Sequence, residues 1–261
     1  MTYDQTTRAD FTELADRVAI ECEKLAYTGK LEARLEEMDL TDRKQRIFVM
    51  GCGRSGTWLL TGIMSTFREV ATVPKEVPVE LFGLVQSPKR TVVMKRSMRS
   101  YETIENIPSR VSILYIVRHP YDVLTSFNRT TGRKYHISPA RWLGEMMSLQ
   151  FLFDTQREAT KIIRYEDLVR HPDRIQEELG AFFGLEMQVG AHDFLRTFRP
   201  PREATAAMHG LRPIDSQSIG RWKNSQENIS YLVGIRHRLG PMLDWVGATF
   251  DYDISLPLVQ K

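Results

Sequence analysis

Arg46-Ile47-Phe48-Val49-Met50-Gly51-Cys52-Gly53-Arg54-Ser55-Gly56-Thr57-Trp58 is the stretch that decides the fold. An apolar run of strand length feeds a loop with three glycines and a hydroxyl pair. Trp58-Leu59-Leu60-Thr61-Gly62-Ile63-Met64 follows, with apolar residues at helical spacing. Strand, Gly-rich turn and helix N-terminus together make an anion cradle. Glycines let the backbone approach, successive N–H groups point inward, and the helix dipole favours negative charge. Arg54 adds a fixed cation able to fork onto a phosphate or sulfonate.

Downstream of this loop, short apolar runs alternate with helical patterns. The strands predicted are 47–50, 91–94, 112–117 and 161–163. The helices predicted are 56–68, 120–130, 139–158, 172–183, 188–197 and about 228–247. Pro120, Pro139 and Pro172 stand at first-turn positions, where a missing N–H costs little. This grammar predicts an α/β fold, a three-layer arrangement with a central, mainly parallel sheet flanked by helices. Residues 9–40 carry Phe11, Leu14, Val18, Cys22 and Leu25 at three- and four-residue steps. They predict an N-terminal helical extension over 1–45 that packs on or caps a main domain over 46–261. Residues 198–220 read as a long loop, which in a compact domain is usually functional or mobile.

Composition sets outer bounds. The 261 residues are 42% hydrophobic, enough for one sizeable core. A balance of 36 basic to 33 acidic residues is too even to argue for nucleic acid. Cys22 and Cys52 form no disulfide framework, and no Cys/His spacing suggests a metal. The N-terminus lacks a signal-like apolar core, and no segment approaches the roughly 20 apolar residues of a membrane span. A cytoplasmic protein without stable membrane insertion is the expectation.

The loop only partly matches a Walker A motif. Gly51 and Gly56 are correctly separated, but Thr57 stands where the lysine of a nucleoside triphosphatase belongs. The cation is instead Arg54, inside the loop. A second informative segment is Ile113-Leu114-Tyr115-Ile116-Val117-Arg118-His119-Pro120, continuing to Ser126. Arg118 ends a buried strand, where ligands of parallel sheets bind. Ser126 lies eight residues on, about two turns into the helix that Pro120 starts. The alternative for Arg118 is an ion pair with Asp122. Two further segments are Arg164-Tyr165-Glu166-Asp167-Leu168 and Gly220-Arg221-Trp222-Lys223-Asn224.

These four segments, in this order, resemble the sulfotransferases that use 3′-phosphoadenosine 5′-phosphosulfate (PAPS), of a bacterial type. The resemblance implies a P-loop-kinase-like fold and a metal-free transfer that leaves adenosine 3′,5′-bisphosphate (PAP). It implies that Gly53, Arg54, Ser55, Gly56, Thr57 and Trp58 hold the 5′-phosphosulfate, and that Arg118 and Ser126 hold the 3′-phosphate. It brings Tyr165 to the adenine, with packing as the alternative. Ser218, Gly220, Arg221 and Trp222 would form the C-terminal donor-binding loop. Glu166 and Asp167 are expected to cap and to hydrogen-bond structurally. His119 is expected to be structural, and His136, His171, His192, His209 and His237 receive no role.

Sulfonyl transfer to a hydroxyl needs a base for the acceptor proton and cations for charge on the leaving phosphate. Where the cytosolic branch carries a histidine base, this chain has Ser97 after Lys95-Arg96. Glu76 and Glu80 are the candidate bases, with the choice between them open, and Lys95 is the candidate aid to the leaving phosphate beside Arg54. The alternatives are a P-loop kinase acting with ATP and Mg²⁺, and a non-catalytic nucleotide-binding module. The acceptor could be a small molecule, glycan, lipid or peptide, with specificity expected in 75–90, 129–150 and 198–216. Arg129, Arg133, Trp142, Met146 and Met147 would line that side or pack. Homo-oligomerisation is left open.

Overall fold

The computed structural model describes residues 44–77, 85, 87–96, 104, 107, 110–128, 132–155, 158–200, 205, 210 and 213–257. The expected extension over 1–45 lies almost wholly outside the described residues, as do Glu80, Ser97, Arg129 and Cys22.

Five strands form one sheet in the order β2-β3-β1-β4-β5, every neighbouring pair parallel. They are β1 Gln45–Met50, β2 Val70–Val77, β3 Thr91–Arg96, β4 Val111–Val117 and β5 Thr160–Arg164. The helices are α1 Thr57–Met64, α2 Pro120–Leu124, α3 Pro139–Asp154, α4 Tyr165–Arg170, α5 Pro172–Phe183, α6 Phe194–Thr197 and α7 Gln226–Phe250. One-residue alternation divides the core into two layers. Phe48 and Met50 of β1 face one side, with Met94, Ile113 and Tyr115, against α2, α3 and α7. Ile47 and Val49 face the other, with Val93, Leu114 and Ile116, against α1, α4, α5 and α6. Strands buried on both faces read as continuous apolar runs, which is why β1 and β4 are so legible. The expected three-layer α/β architecture with a parallel sheet is the one observed.

Three local features differ from the sequence reading. The edge strand β2 runs through a stretch for which no strand is predicted. Pro74 has no N–H for the ladder, and the pairing with β3 shifts register between Thr72 and Glu76. The helix begun by Pro120 ends at Leu124, not near 130, so Ser126 lies beyond it rather than within it. Thr125 caps that end: its hydroxyl and its N–H both bond the Tyr121 carbonyl. The segment 188–197 is a 3₁₀ turn, Ala191–Asp193, followed by the single turn of α6.

Because β1 lies between β3 and β4, the chain leaves it first toward one sheet edge and later toward the other. The C-terminal ends of β1, β3 and β4 therefore flank a topological switch point, where open α/β sheets bind ligands. Gly51, Arg96 and Arg118 all stand at this end of the sheet.

Candidate active site

The loop after β1 is built from backbone conformations that side chains rarely adopt. Gly51 has φ 144° and Gly56 φ 95°, and Arg54 itself is left-handed at φ 72°. A Cβ at Gly51 would lie 2.5 Å from the Ile116 carbonyl of β4, and one at Gly56 2.6 Å from the Tyr165 ring. Glycine is thus required at both places by close approach as well as by φ. The turn is closed by Ser55 N–H donating to the Cys52 carbonyl at 3.0 Å. Gly56 caps α1 without a side-chain bond, and no acidic residue stands in its first turn. The first-turn amides of Thr57, Trp58 and Leu59 keep their donors for a ligand, since the first intrahelical bond is Leu60 N–H to the Gly56 carbonyl.

Arg54, Arg118 and Ser126 meet here. Arg54 Nε donates to Ser126 Oγ at 2.8 Å. Arg118 donates from Nη1 to the Arg54 carbonyl at 2.8 Å and from Nη2 to the Ser218 carbonyl at 2.6 Å. Its Nε–H is buried and has no partner. The guanidinium also lies 4.5 Å from the centre of the Tyr165 ring, and the Tyr165 hydroxyl is 2.6 Å from Ser218 Oγ. One arginine at the end of β4 thus joins the Gly-rich loop, the start of α4 and the 213–220 segment.

Asp122 does other work than pairing with Arg118. Its carboxylate accepts from Gly220 N–H at 2.7 Å and Trp222 N–H at 3.3 Å, fixing the turn in which Gly220 is left-handed at φ 71°. Trp222 is buried behind that turn, stacked on His119 and edge-on to Tyr121. Its part in any site is to shape the turn, because its ring packs into the core. Arg221 donates from Nε to the Gln217 carbonyl at 2.8 Å and is exposed. His119 is structural: Nδ1 accepts from Tyr121 N–H and Nε2 meets the Asp253 carbonyl at 3.0 Å. Burial lowers its pKa. Glu166 accepts from His119 N–H and from the Tyr252 hydroxyl, and Asp167 lies 3.9 Å from Arg164, so both serve the scaffold.

On the other side of the loop, Glu76 and Lys95 are direct partners across β2 and β3 and form an ion pair. Lys95 is buried while Glu76 is 41% exposed, so the carboxylate faces the opening. Lys95 Nζ also lies 4.6 Å from the centre of the Trp58 ring. Burial lowers the Lys95 pKa, and the Glu76 carboxylate opposes that shift.

Four groups that carried no role in the sequence, Glu145, Arg96, Arg141 and His136, stand near the loop. Glu145, fully buried, lies 3.0 Å from Arg96 and 3.7 Å from Arg141. Arg96 Nε donates to the Gly51 carbonyl at 2.5 Å. Arg141 reaches Gly53, where a Cβ would be 3.3 Å from its Nη2. His136 is held by its N–H to the Ser126 carbonyl at 2.9 Å. Its pKa is lowered by burial and by the charges of Arg54 and Arg141, against Glu76. The i,i+4 pair Arg141/Glu145 was visible in the sequence, but nothing there aimed it at the loop. Trp142 and Met146 pack in the core, whereas Met147 is exposed.

No protein-family model matches the chain, and no curated protein matches its sequence. Solved structures do. The sulfotransferase domain of the Synechococcus PCC 7002 olefin synthase is similar at TM-score 0.58 and 16% identity, covering 82% of this chain and 98% of that one. The sulfotransferase domain from the curacin biosynthetic pathway is similar at TM-score 0.57 and 17% identity, covering 82% and 99%. Mouse sulfotransferase SULT7A1, solved with PAP, is similar at TM-score 0.51 and 16% identity, covering 81% and 92%.

Proposed function

We propose that this chain, which carries the sulfotransferase fold, transfers a sulfonate group from PAPS to a hydroxyl or amine of an acceptor. The observation that carries the reading is the meeting of Arg54, Arg118 and Ser126 at the N-terminus of α1. An uncapped helix start with open amides suits the 5′-phosphosulfate. The unpartnered, buried Nε–H of Arg118 and the hydroxyl of Ser126 suit a second anion, the 3′-phosphate. Two anion sites sharing the Arg54–Arg118 contact fit a ligand phosphorylated at both ends of its ribose. Tyr165 and Ser218 would bound the nucleoside side.

The donor supplies the sulfonate and a phosphate leaving group. Arg54 would offset charge on that phosphate, with Lys95 adding a proton-bearing cation from the β3 end. Glu76 would take the acceptor proton, since its exposed carboxylate and Lys95 stand side by side at the opening. Its pairing with Lys95 keeps the carboxylate oriented. The acceptor would enter over β2 and the 132–141 segment, and can be a small molecule, glycan, lipid or peptide.

Isothermal titration tests the donor. PAP should bind more tightly than ATP–Mg²⁺; the reverse order would point to a phosphoryl-transfer enzyme and overturn the reading. Mass spectrometry of extracts incubated with protein and PAPS should then reveal acceptors heavier by one sulfonate. Tight PAP binding without any sulfonated product would identify a binding module.

A further inference from the structure

Arg141 belongs to a buried bracket that grips the Gly-rich loop at two glycines. Glu145, on the face of α3 turned into the core, is fully buried and stands between two guanidinium groups. Arg96, buried at the end of β3, spends its Nε–H on the Gly51 carbonyl. Arg141 stands one turn before Glu145 on α3 and carries its guanidinium to the far side of the loop. There it lies against Gly53: a Cβ would meet Ile137 Cδ1 at 2.9 Å and Arg141 Nη2 at 3.3 Å. Any residue but glycine at 53 would have to displace one of them.

The bracket does not bury Arg141 as it buries Arg96. Arg141 is 22% exposed against 4% for Arg96, although both serve the same carboxylate. Its charge reaches two further groups. It acts on the His136 ring together with Arg54 and Glu76, and on Lys95 together with Arg96 and Glu76. Arg141 therefore stands beside Gly53 of the loop, anchored by Glu145 and partly exposed, with its charge felt at His136 and Lys95. Glu145 anchors the guanidinium from one side without burying it.

We propose that Arg141 is a substrate-binding residue that holds the sulfonate oxygens of the donor, with Glu145 and Arg96 as the residues that position it. The assignment rests on the sulfotransferase reading and adds a contact at the transferred group. Arg54 sits on the phosphate side of the loop, tied to Ser126, whereas Arg141 sits across Gly53 on the acceptor side. A cation there would offset charge on the sulfonate oxygens as sulfur passes to the acceptor.

The experiment compares two ligands that differ only in the sulfonate. Wild-type protein, Arg141→Gln and Arg141→Lys are titrated with PAP and with PAPS. Arg141→Gln should bind PAP within about twofold of wild type and PAPS about tenfold more weakly, the loss of one charge-assisted contact. Arg141→Lys keeps the charge but not the fork and should recover part of the PAPS affinity. Equal losses for both ligands, or no loss for either, would overturn the assignment and leave Arg141 a counter-ion of Glu145. Failure of wild-type protein to bind PAP at all would instead remove the underlying reading. Arg96 stays on Glu145 in both variants, and unchanged thermal melting confirms that the fold persists.

Discussion

Arg54 and Ser126, 72 positions apart, are joined by a 2.8 Å hydrogen bond from the arginine Nε to the serine Oγ. The backbone of the same arginine is held by Arg118, which donates to its carbonyl at 2.8 Å. A non-glycine residue at φ 72° is strained, and it persists only where its surroundings over-determine it. Arg118, just after β4, supplies one restraint, and Ser126, just after α2, supplies the other. Ser126→Ala should release the side-chain restraint and weaken PAP binding by about 1–2 kcal/mol. Calorimetry with PAP and with adenosine 5′-phosphosulfate separates two routes. A loss confined to PAP places the hydroxyl on the 3′-phosphate, and equal losses mean that it acts through Arg54.

Arg118→Ala should be more severe. It removes the donor with the buried, unpartnered Nε–H along with the ties to the loop and to Ser218. PAP affinity should fall by about 2–4 kcal/mol. A ligand lacking the 3′-phosphate should lose far less, about 1 kcal/mol, reflecting only the loosened loop. Equal losses for both ligands would refute the assignment of Arg118 to that phosphate.

What the sequence disclosed follows from how local each feature is. The Gly-rich loop and the β4 arginine were legible because strand, turn and helix succeed one another without interruption, so the pattern carries its own geometry. The spacing of Ser126 from Arg118 is read directly, but Ser126 does not lie within a helix, because Thr125 ends that helix by a local back-bond to the Tyr121 carbonyl that helical periodicity does not encode. Strand β2 was missed since Pro74, Lys75 and Glu76 break the apolar run, and only pairing with β3 reveals it. The pairing of Glu76 with Lys95 was equally invisible, being set by strand register. Arg141 and His136 reach the loop from α3 and from the turn before it, a placement decided by how those segments cross the sheet.

Gly56→Ala tests the loop backbone. The new Cβ would meet Tyr165 at 2.6 Å in a residue already at φ 95°. Strain and clash together should cost about 2–3 kcal/mol, seen as a melting temperature several degrees lower. PAP should recover part of the loss if the loop closes on it, and melting with and without PAP measures both effects. An unchanged melting temperature would mean that the ring simply steps aside.

Removal of Glu145 should be among the costliest single changes in the fold. Glu145→Ala leaves Arg96 buried at the end of β3 without the carboxylate 3.0 Å away. Breaking a buried pair from one side costs about 3–5 kcal/mol, measurable by denaturant unfolding. Glu145→Gln, which keeps the shape and an oxygen, should cost less. An alanine variant as stable as wild type would show that Arg96 does not depend on this carboxylate.

The Lys95–Glu76 pair ties activity to pH with a definite sign. Burial lowers the Lys95 pKa from the usual lysine value of 10.5, and the adjacent Glu76 carboxylate limits the shift. Between the lowered value and 10.5 the unfolded chain binds more protons at this site than the folded one. The contribution of Lys95 to stability therefore rises with pH across that window and is constant below it. Catalysis runs the other way: a lysine that assists the leaving phosphate must carry its proton, so turnover should fall as pH rises through the lowered pKa. Glu76→Gln removes the supporting charge and should drive the Lys95 pKa further down, a shift read on the lysine itself because the same change removes the proposed base. NMR titration of the lysine side-chain resonances in both proteins checks the shift directly. If Lys95 titrates at the same pH with and without the carboxylate, the pair does not control its proton.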